Sequence, residues 1–253
     1  MDLFARLRRA AVLLLTMGTL AACAGTGGTG MTADGINDPY EAQNRKVHAF
    51  NRGLDRSIVR PAALGYSQVL PDGVQDSIGN FSTNLGQPSV AVNSLLQGDV
   101  RGAGVSVLRF TMNSTLGFLG FFDVASDFKV ARHDTDFGET LYVWGADEGV
   151  YLELPLLGPS TARNATGKFV DLFTNPLSYV MDSPEKYYGT AAAVGSGLSS
   201  RGRFSETVDS ILYDSADSYA QARLIYLQNR RFSLGDDEAT TEIDPFELDT
   251  QGF

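Results

Sequence analysis

Thirteen residues separate a basic cluster from the chain's only cysteine, and that length limits how the protein can meet a membrane. Arg6, Arg8 and Arg9 precede an apolar run over 10–22, interrupted only by Thr16, Gly18 and Thr19. As a helix the run rises about 20 Å, short of the roughly 30 Å of hydrocarbon that a spanning helix must cross. It reads as a signal peptide, 1–22, rather than a transmembrane anchor. What remains is an ordinary globular composition, 43% hydrophobic and 20% charged over 253 residues, enough for a sizeable core. Removing 1–22 takes three basic and one acidic residue from totals of 20 and 30. The mature chain then carries 17 against 29, a net of −12. That charge excludes nucleic acid as a natural partner and excludes adhesion to anionic lipid through a basic face. Membrane contact must be apolar or covalent.

The run ends in Leu20-Ala21-Ala22-Cys23, which resembles the lipobox of bacterial lipoproteins. The resemblance implies S-diacylglycerol on the Cys23 thiol, cleavage before it, and N-acylation of the new terminus. No second cysteine exists to form an intramolecular disulfide. One acyl chain holds a protein only marginally, so several on one residue make a durable anchor. Ala24, not being aspartate, points by the sorting rule of such lipoproteins to the outer membrane.

Residues 24–35 are mostly Gly, Thr and Ala, so 23–37 reads as a lipidated N-terminus and flexible tether. The other end, 233–253, holds seven acidic residues and no basic one, and reads as a disordered tail. Between them, 38–232 reads as one mainly helical domain. Asp38-Pro39-Tyr40-Glu41 has the form of a helix start, and Val47, Phe50, Leu54 and Ile58 then form an apolar stripe that Pro61 closes. Val74, Ile78, Phe81 and Leu85 repeat the stripe up to Gly86-Gln87-Pro88, and Val92, Leu95 and Leu96 resume it, predicting two helices with a proline break. A further helix is expected from Asp99, with Gly102 and Gly104 allowing close approach. Leu141 to Trp144 and Val150 to Leu154 are β-favouring around Gly145-Ala146-Asp147-Glu148-Gly149, a hairpin ended by Pro155 and Pro159. Val208, Ile211 and Leu212, then Tyr219, Ala222 and Tyr226, predict two last helices.

Catalytic machinery is not apparent. Gly195-Ser196-Gly197 lacks the spacing of a nucleophile elbow, and no phosphate loop occurs. His133-Asp134-Thr135-Asp136 offers ligand types without a second histidine at useful spacing. His48 sits on a helix edge, where a satisfied or solvent-facing imidazole is expected. No cofactor or metal is expected. Leu116-Gly117-Phe118-Leu119-Gly120-Phe121-Phe122 has neither helical nor strand periodicity. It reads either as a buried core turn or as an apolar hairpin that lines a lipid path or dips into a bilayer. The helical stripes do not choose, because a soluble bundle shows them too.

Several ordered blocks carry a wider resemblance: Asp38-Pro39-Tyr40-Glu41-Ala42-Gln43-Asn44-Arg45, Val92-Asn93-Ser94-Leu95-Leu96-Gln97-Gly98-Asp99, and Arg109-Phe110-Thr111-Met112-Asn113-Ser114-Thr115-Leu116-Gly117. Phe122-Asp123-Val124-Ala125, Asp136-Phe137-Gly138-Glu139-Thr140-Leu141, Leu154-Pro155-Leu156-Leu157-Gly158-Pro159-Ser160 and Tyr226-Leu227-Gln228-Asn229-Arg230-Arg231 continue it. Behind a lipobox, these blocks resemble the MlaA (VacJ) lipoprotein family over about 38–232. The segment 142–150 departs from the family pattern, so no role is carried onto it. The resemblance implies a ring or bundle of amphipathic helices lying in the inner leaflet of the outer membrane around an amphipathic channel. It implies a non-enzymatic conduit that takes misplaced phospholipids from the outer leaflet to a periplasmic lipid carrier, in association with a trimeric porin. The other reading is a structural, porin-associated lipoprotein without a channel. Mass spectrometry of the mature amino terminus checks the anchor: the first residue is expected to be Cys23 carrying diacylglycerol and an amide-linked acyl chain, and a bare Cys23 overturns it.

Overall fold

The computed structural model describes residues 35–235; the signal segment, Cys23, most of the tether and the tail from 236 lie outside the described residues. Residues up to Pro39 form one unit and those from Tyr40 another. The second holds the elements that follow. Helix α1, Glu41–Leu54, has Tyr40 at its N-cap, so the expected cap at Asp38 lies upstream of the helix. Pro61 does not end the pattern. A π-helical segment, Asp55–Val59, leads into α2, Arg60–Val69, with Pro61 as its second residue. The π segment shifts the hydrogen-bond register just ahead of it, the Arg60 amide reaching back to the Asp55 carbonyl, and the proline is accommodated where the wider turn gives way to α2.

The expected proline break is also absent further on: α3 is one continuous 25-residue helix, Asp72–Leu96, with Pro88 inside it. An interior proline costs about 3 kcal/mol. Helix α3 packs against both α4, Val100–Thr115, and α9, Tyr188–Arg203, and such packing outweighs local propensity. Asp99 caps α4 by accepting from the Gly102 amide at 2.8 Å. A Cβ on Gly102 would meet the His133 ring, whereas Gly104 faces open space.

After α5, Val124–Asp127, the segment expected to be the first hairpin strand is instead helix α6, Phe137–Val143. Asp136 accepts from the Glu139 amide at 2.7 Å, and this N-cap overrides the β preference of Leu141, Tyr142 and Val143. The second expected strand does form, as β1, Tyr151–Leu154. Its partner is β2, Gly158–Thr161, antiparallel with Tyr151 opposite Thr161 and Leu154 opposite Gly158. Pro155 therefore begins the turn, and Pro159 sits within β2. Thr161 caps α7, Ala162–Thr174; the short α8, Leu177–Val180, and a 3₁₀ turn, Glu185–Tyr187, lead to α9. Helix α10, Ser205–Asp209, runs into a second π segment, Ser210–Asp214, and α11 spans Ser218–Ser233 behind an Asp217 cap. The fold is mainly α, as expected, with its strand pair at 151–161.

The interior is polar. Among the described residues, twenty buried polar or charged residues outnumber nine buried apolar ones, and five of the nine are alanine. In α1 the buried residues are Asn44 and His48, while Phe50 and Ile58 of the apolar stripe are exposed. In α3 the buried stripe is Gln75, Asn84, Gln87, Ala91 and Ser94. These groups are bonded across elements: Asn44 donates to the Tyr151 carbonyl and accepts from the Glu153 amide, and His48 contacts Glu153 and Ser218. His48 is thus a satisfied interior residue.

Charge also ties the two π segments together. Arg201 of α9 donates to both oxygens of Asp55 at 2.9 and 2.7 Å and to Asp209 at 2.6 Å, Tyr213 donates to Asp55, and Arg60 donates to Asp209. Burial pushes both carboxyls up, but the Arg201 hydrogen bonds, with Tyr213 on Asp55 and Arg60 on Asp209, hold them below the usual carboxylate range. A depressed folded pKa contributes stability that is present above the unfolded value and lost as pH falls through the folded one. Arg201→Met leaves two facing carboxylates without their shared cation and should cost about 3 kcal/mol at pH 7. In denaturant titrations of the detergent-solubilised protein, acidification towards pH 4 should narrow the gap between variant and parent, because protonation then relieves the variant; a widening gap refutes the clamp.

Candidate functional site

The large apolar side chains that the interior does not use are on the surface. Phe50, Ile58, Leu95, Leu96, Val107, Leu108, Phe128, Trp144, Phe169, Leu172 and Phe173 are among them. Among the described residues the exposed large apolar side chains far outnumber the buried ones, the reverse of the usual distribution in a globular domain. Among the described residues no helix is long and apolar enough to cross a membrane.

The segment 116–122 is not a core turn. It is a tight loop after α4 in which Leu116, Phe118, Leu119 and Phe122 are exposed, Phe118 at 69%, while Gly117 and Gly120 are buried. Its base is polar and closely held. Asn84 of α3 donates to Ser114 at 2.9 Å and to the Leu119 carbonyl at 3.3 Å, and Asn80 reaches the Phe121 carbonyl. Phe121 folds back and stacks on Phe81 with ring centroids 4.7 Å apart. On the far side, Arg109 donates to both oxygens of Asp123 at 2.8 Å, and Asn113 donates to Asp123 while accepting from the Ala125 amide. Burial pushes the Asp123 carboxyl up; hydrogen bonds from Ser126 and Asn113 and the Arg109 charge bring it below its ordinary range.

The loop's backbone is strained. Phe118 and Leu119 have φ of 50° and 61°, a region that costs a non-glycine residue roughly 1–2 kcal/mol. Gly120, at φ 99°, sits where a Cβ would lie 2.5 Å from the Asn84 side chain. The chain thus bends against its preference to turn two large apolar side chains outward.

Helix α3 also lines a cavity of about 410 Å³. Ser82, Leu85 and Gly86 form its α3 wall, with Leu172, Asn175, Ser178, Met181, Glu185 and Thr190 around it. Asn175 donates to the Leu85 carbonyl at 2.9 Å, closing one corner. The lining is amphipathic, hydroxyls and amides interleaved with leucines and a methionine. Residues 80, 81 and 84 of α3 hold the loop, and 82, 85 and 86 face the cavity on the adjoining side of the same helix.

His133 lies 3.5 Å from Asp99, beside the start of α4, and no group of metal-ligating side chains is found among the described residues. Cys23 lies outside them.

Comparison with known proteins decides the family. The MlaA lipoprotein family matches over residues 36–233. The chain belongs to the MlaA lipoprotein family. It is 33% identical over 237 residues to the intermembrane phospholipid transport system lipoprotein MlaA of Escherichia coli K12, covering 91% of each chain, and 31% identical over 228 residues to that of Haemophilus influenzae, covering 88% of this chain and 89% of the other. An uncharacterized protein of Rickettsia bellii is 35% identical over 200 residues, 79% of this chain and 77% of its own length. A solved structure described as the structural basis for maintenance of bacterial outer membrane lipid asymmetry aligns with TM-score 0.66 at 33% identity, covering 78% of this chain and 98% of the other.

For this MlaA-family chain, sequence reasoning located the loop 116–122 and missed the cavity. The cavity's walls come from α3 and from 172–193, where Asn175-Pro176 and the small residues Gly189 and Ala193 carry no periodic signal of a lumen. Asparagine adopts positive φ with little penalty, so Leu119→Asn should leave the thermal midpoint of the detergent-solubilised protein unchanged or slightly raised. The same change removes a leucine from apolar contact and should weaken binding of the unacylated protein to phospholipid vesicles about tenfold. A lowered midpoint would mean that Leu119 packs inside the protein.

Proposed function

We propose that this chain is the outer-membrane lipoprotein of an intermembrane phospholipid transport system, and that it extracts misplaced phospholipids from the outer leaflet and passes them to a periplasmic carrier, maintaining lipid asymmetry. It is held by N-acyl and S-diacylglycerol groups on Cys23, lies in the periplasmic leaflet beside a trimeric porin, and acts without catalysis. The observation that carries this reading is the inverted distribution of side chains, polar within and apolar without, around an amphipathic cavity. A phospholipid has the same two-sided demand. Each methylene exposed to water costs about 0.8 kcal/mol, and a buried phosphate without partners costs far more. A conduit must therefore offer apolar surface to the tails and hydrogen-bonding groups to the head. The loop 116–122 is the part of the apolar surface that reaches into the tails.

In a Gram-negative strain lacking its own MlaA, this chain should lower outer-leaflet phospholipid, read by accessibility to an external phospholipase. Phe118→Ser with Phe122→Ser should abolish most of that effect while the protein still folds and fractionates with the outer membrane. Full activity of that double variant would favour a purely structural, porin-associated role.

A further inference from the structure

A second cavity, of about 350 Å³, opens between α7 and α11. It is lined by Asp136, Asn164, Lys168, Tyr226, Asn229, Arg230 and Ser233, each of which carries a polar group. Three of these groups are charged, and two of the charges are settled. Arg230 donates through both terminal nitrogens to Asp136, at 2.9 and 2.7 Å, and the remaining acceptor capacity of Asp136 goes partly to the Glu139 amide that it caps. The third is Lys168, half-buried and with no hydrogen bond or ion pair among the described residues. The Arg230 Nε is likewise buried without a partner. Burial pushes the Lys168 ammonium below its usual pKa; the Asp136 and Glu153 charges oppose this and Arg230 adds to it.

The two carboxylates make no ion pair with Lys168, and their charges do not offset the hydration that its burial removes. An anion in the cavity would restore the balance. The donors available suit a tetrahedral oxyanion with several acceptor oxygens better than a single-atom anion: three N–H bonds on Lys168, the second N–H of each Arg230 terminal nitrogen, and the Asn229 amide, while the Ser233 hydroxyl is already given to the Arg230 carbonyl. We propose that Lys168 and Arg230 hold the phosphate group of a phospho-compound in this cavity, with Asn229 completing its hydrogen bonds. The chemistry is shared by a lipid headgroup and by free phosphate, and it stands whether or not the chain conducts phospholipid.

The test is ³¹P line broadening with the full-length acylated protein in phosphate-free detergent micelles, titrated separately with inorganic phosphate and with glycerophosphoethanolamine. Saturable broadening is expected with at least one probe, and Lys168→Gln should weaken it at least tenfold, whereas Lys129→Gln, at an exposed lysine, should not change it. Response to the phosphodiester alone assigns the site to a headgroup, and response to phosphate alone assigns it to a soluble anion. No saturable broadening with either probe, or the same broadening in Lys168→Gln, overturns the proposal. Should Lys168→Gln not fold, acylation of the parent protein decides: bound phosphate must slow modification of Lys168 several-fold and leave Lys129 unaffected, and equal slowing of both refutes the site.

Discussion

Arg109 places a permanent positive charge where only 1% of the residue is exposed, and the fold around the apolar loop is arranged to answer it. Its guanidinium donates to the Asp123 carboxylate, the Ser126 hydroxyl and the Val130 carbonyl, so the end of the loop, α5 and the irregular segment beyond are all referred to one side chain of α4. An isolated charge in such a place would cost several kcal/mol, and excellent geometry with extra hydrogen bonds is what repays it. The same condition applies across the interior. Asn44 between α1 and β1, Asn84 between α3 and the loop, and Arg201 between the π segments each bond to elements distant in sequence. A polar interior is directional where an apolar one is not, and it holds the helices in fixed positions through bonds between particular groups.

That arrangement explains what could be read from the sequence and what could not. Periodicity located α1, α3 and α11, because a stripe recurs every 3.6 residues whether it faces a core or a lipid phase. It could not give the direction of the stripe: Phe50 and Ile58 look like core residues in the sequence and are exposed, while Asn44 and His48 are buried. Proline misled at Pro61 and Pro88 for a different reason, since a π segment and long-range packing remove penalties that local propensity assumes. At 141–144 one capping aspartate outweighed three β-favouring residues, and β1 found its partner across Pro155-Leu156-Leu157 instead.

The candidate site divides along the same line. The segment 116–122 stood out in the sequence because its two glycines are interleaved with large apolar residues, a local pattern. The cavity did not, because its walls are assembled from α3, the end of α7, α8 and the start of α9, and no short window contains more than a fragment. Lys168 and Arg230 stand 62 positions apart and meet only in the fold.

On the proposed function, α3 is the element on which the two halves of the task converge. Tails and headgroup cannot be separated by more than one lipid's length, so an apolar loop and an amphipathic cavity must be placed side by side and held in register. A single helix does this through adjoining faces, Phe81 and Asn84 towards the loop and Ser82 and Leu85 towards the cavity. Such an arrangement tolerates little bending, yet Pro88 stands inside the helix. A proline removes the hydrogen bond to the carbonyl four residues before it, here that of Asn84, whose side chain holds the loop. The turn that joins the two sites is therefore the one whose own ladder is weakest, and the packing of α3 against α4 and α9 is what keeps the helix continuous through it.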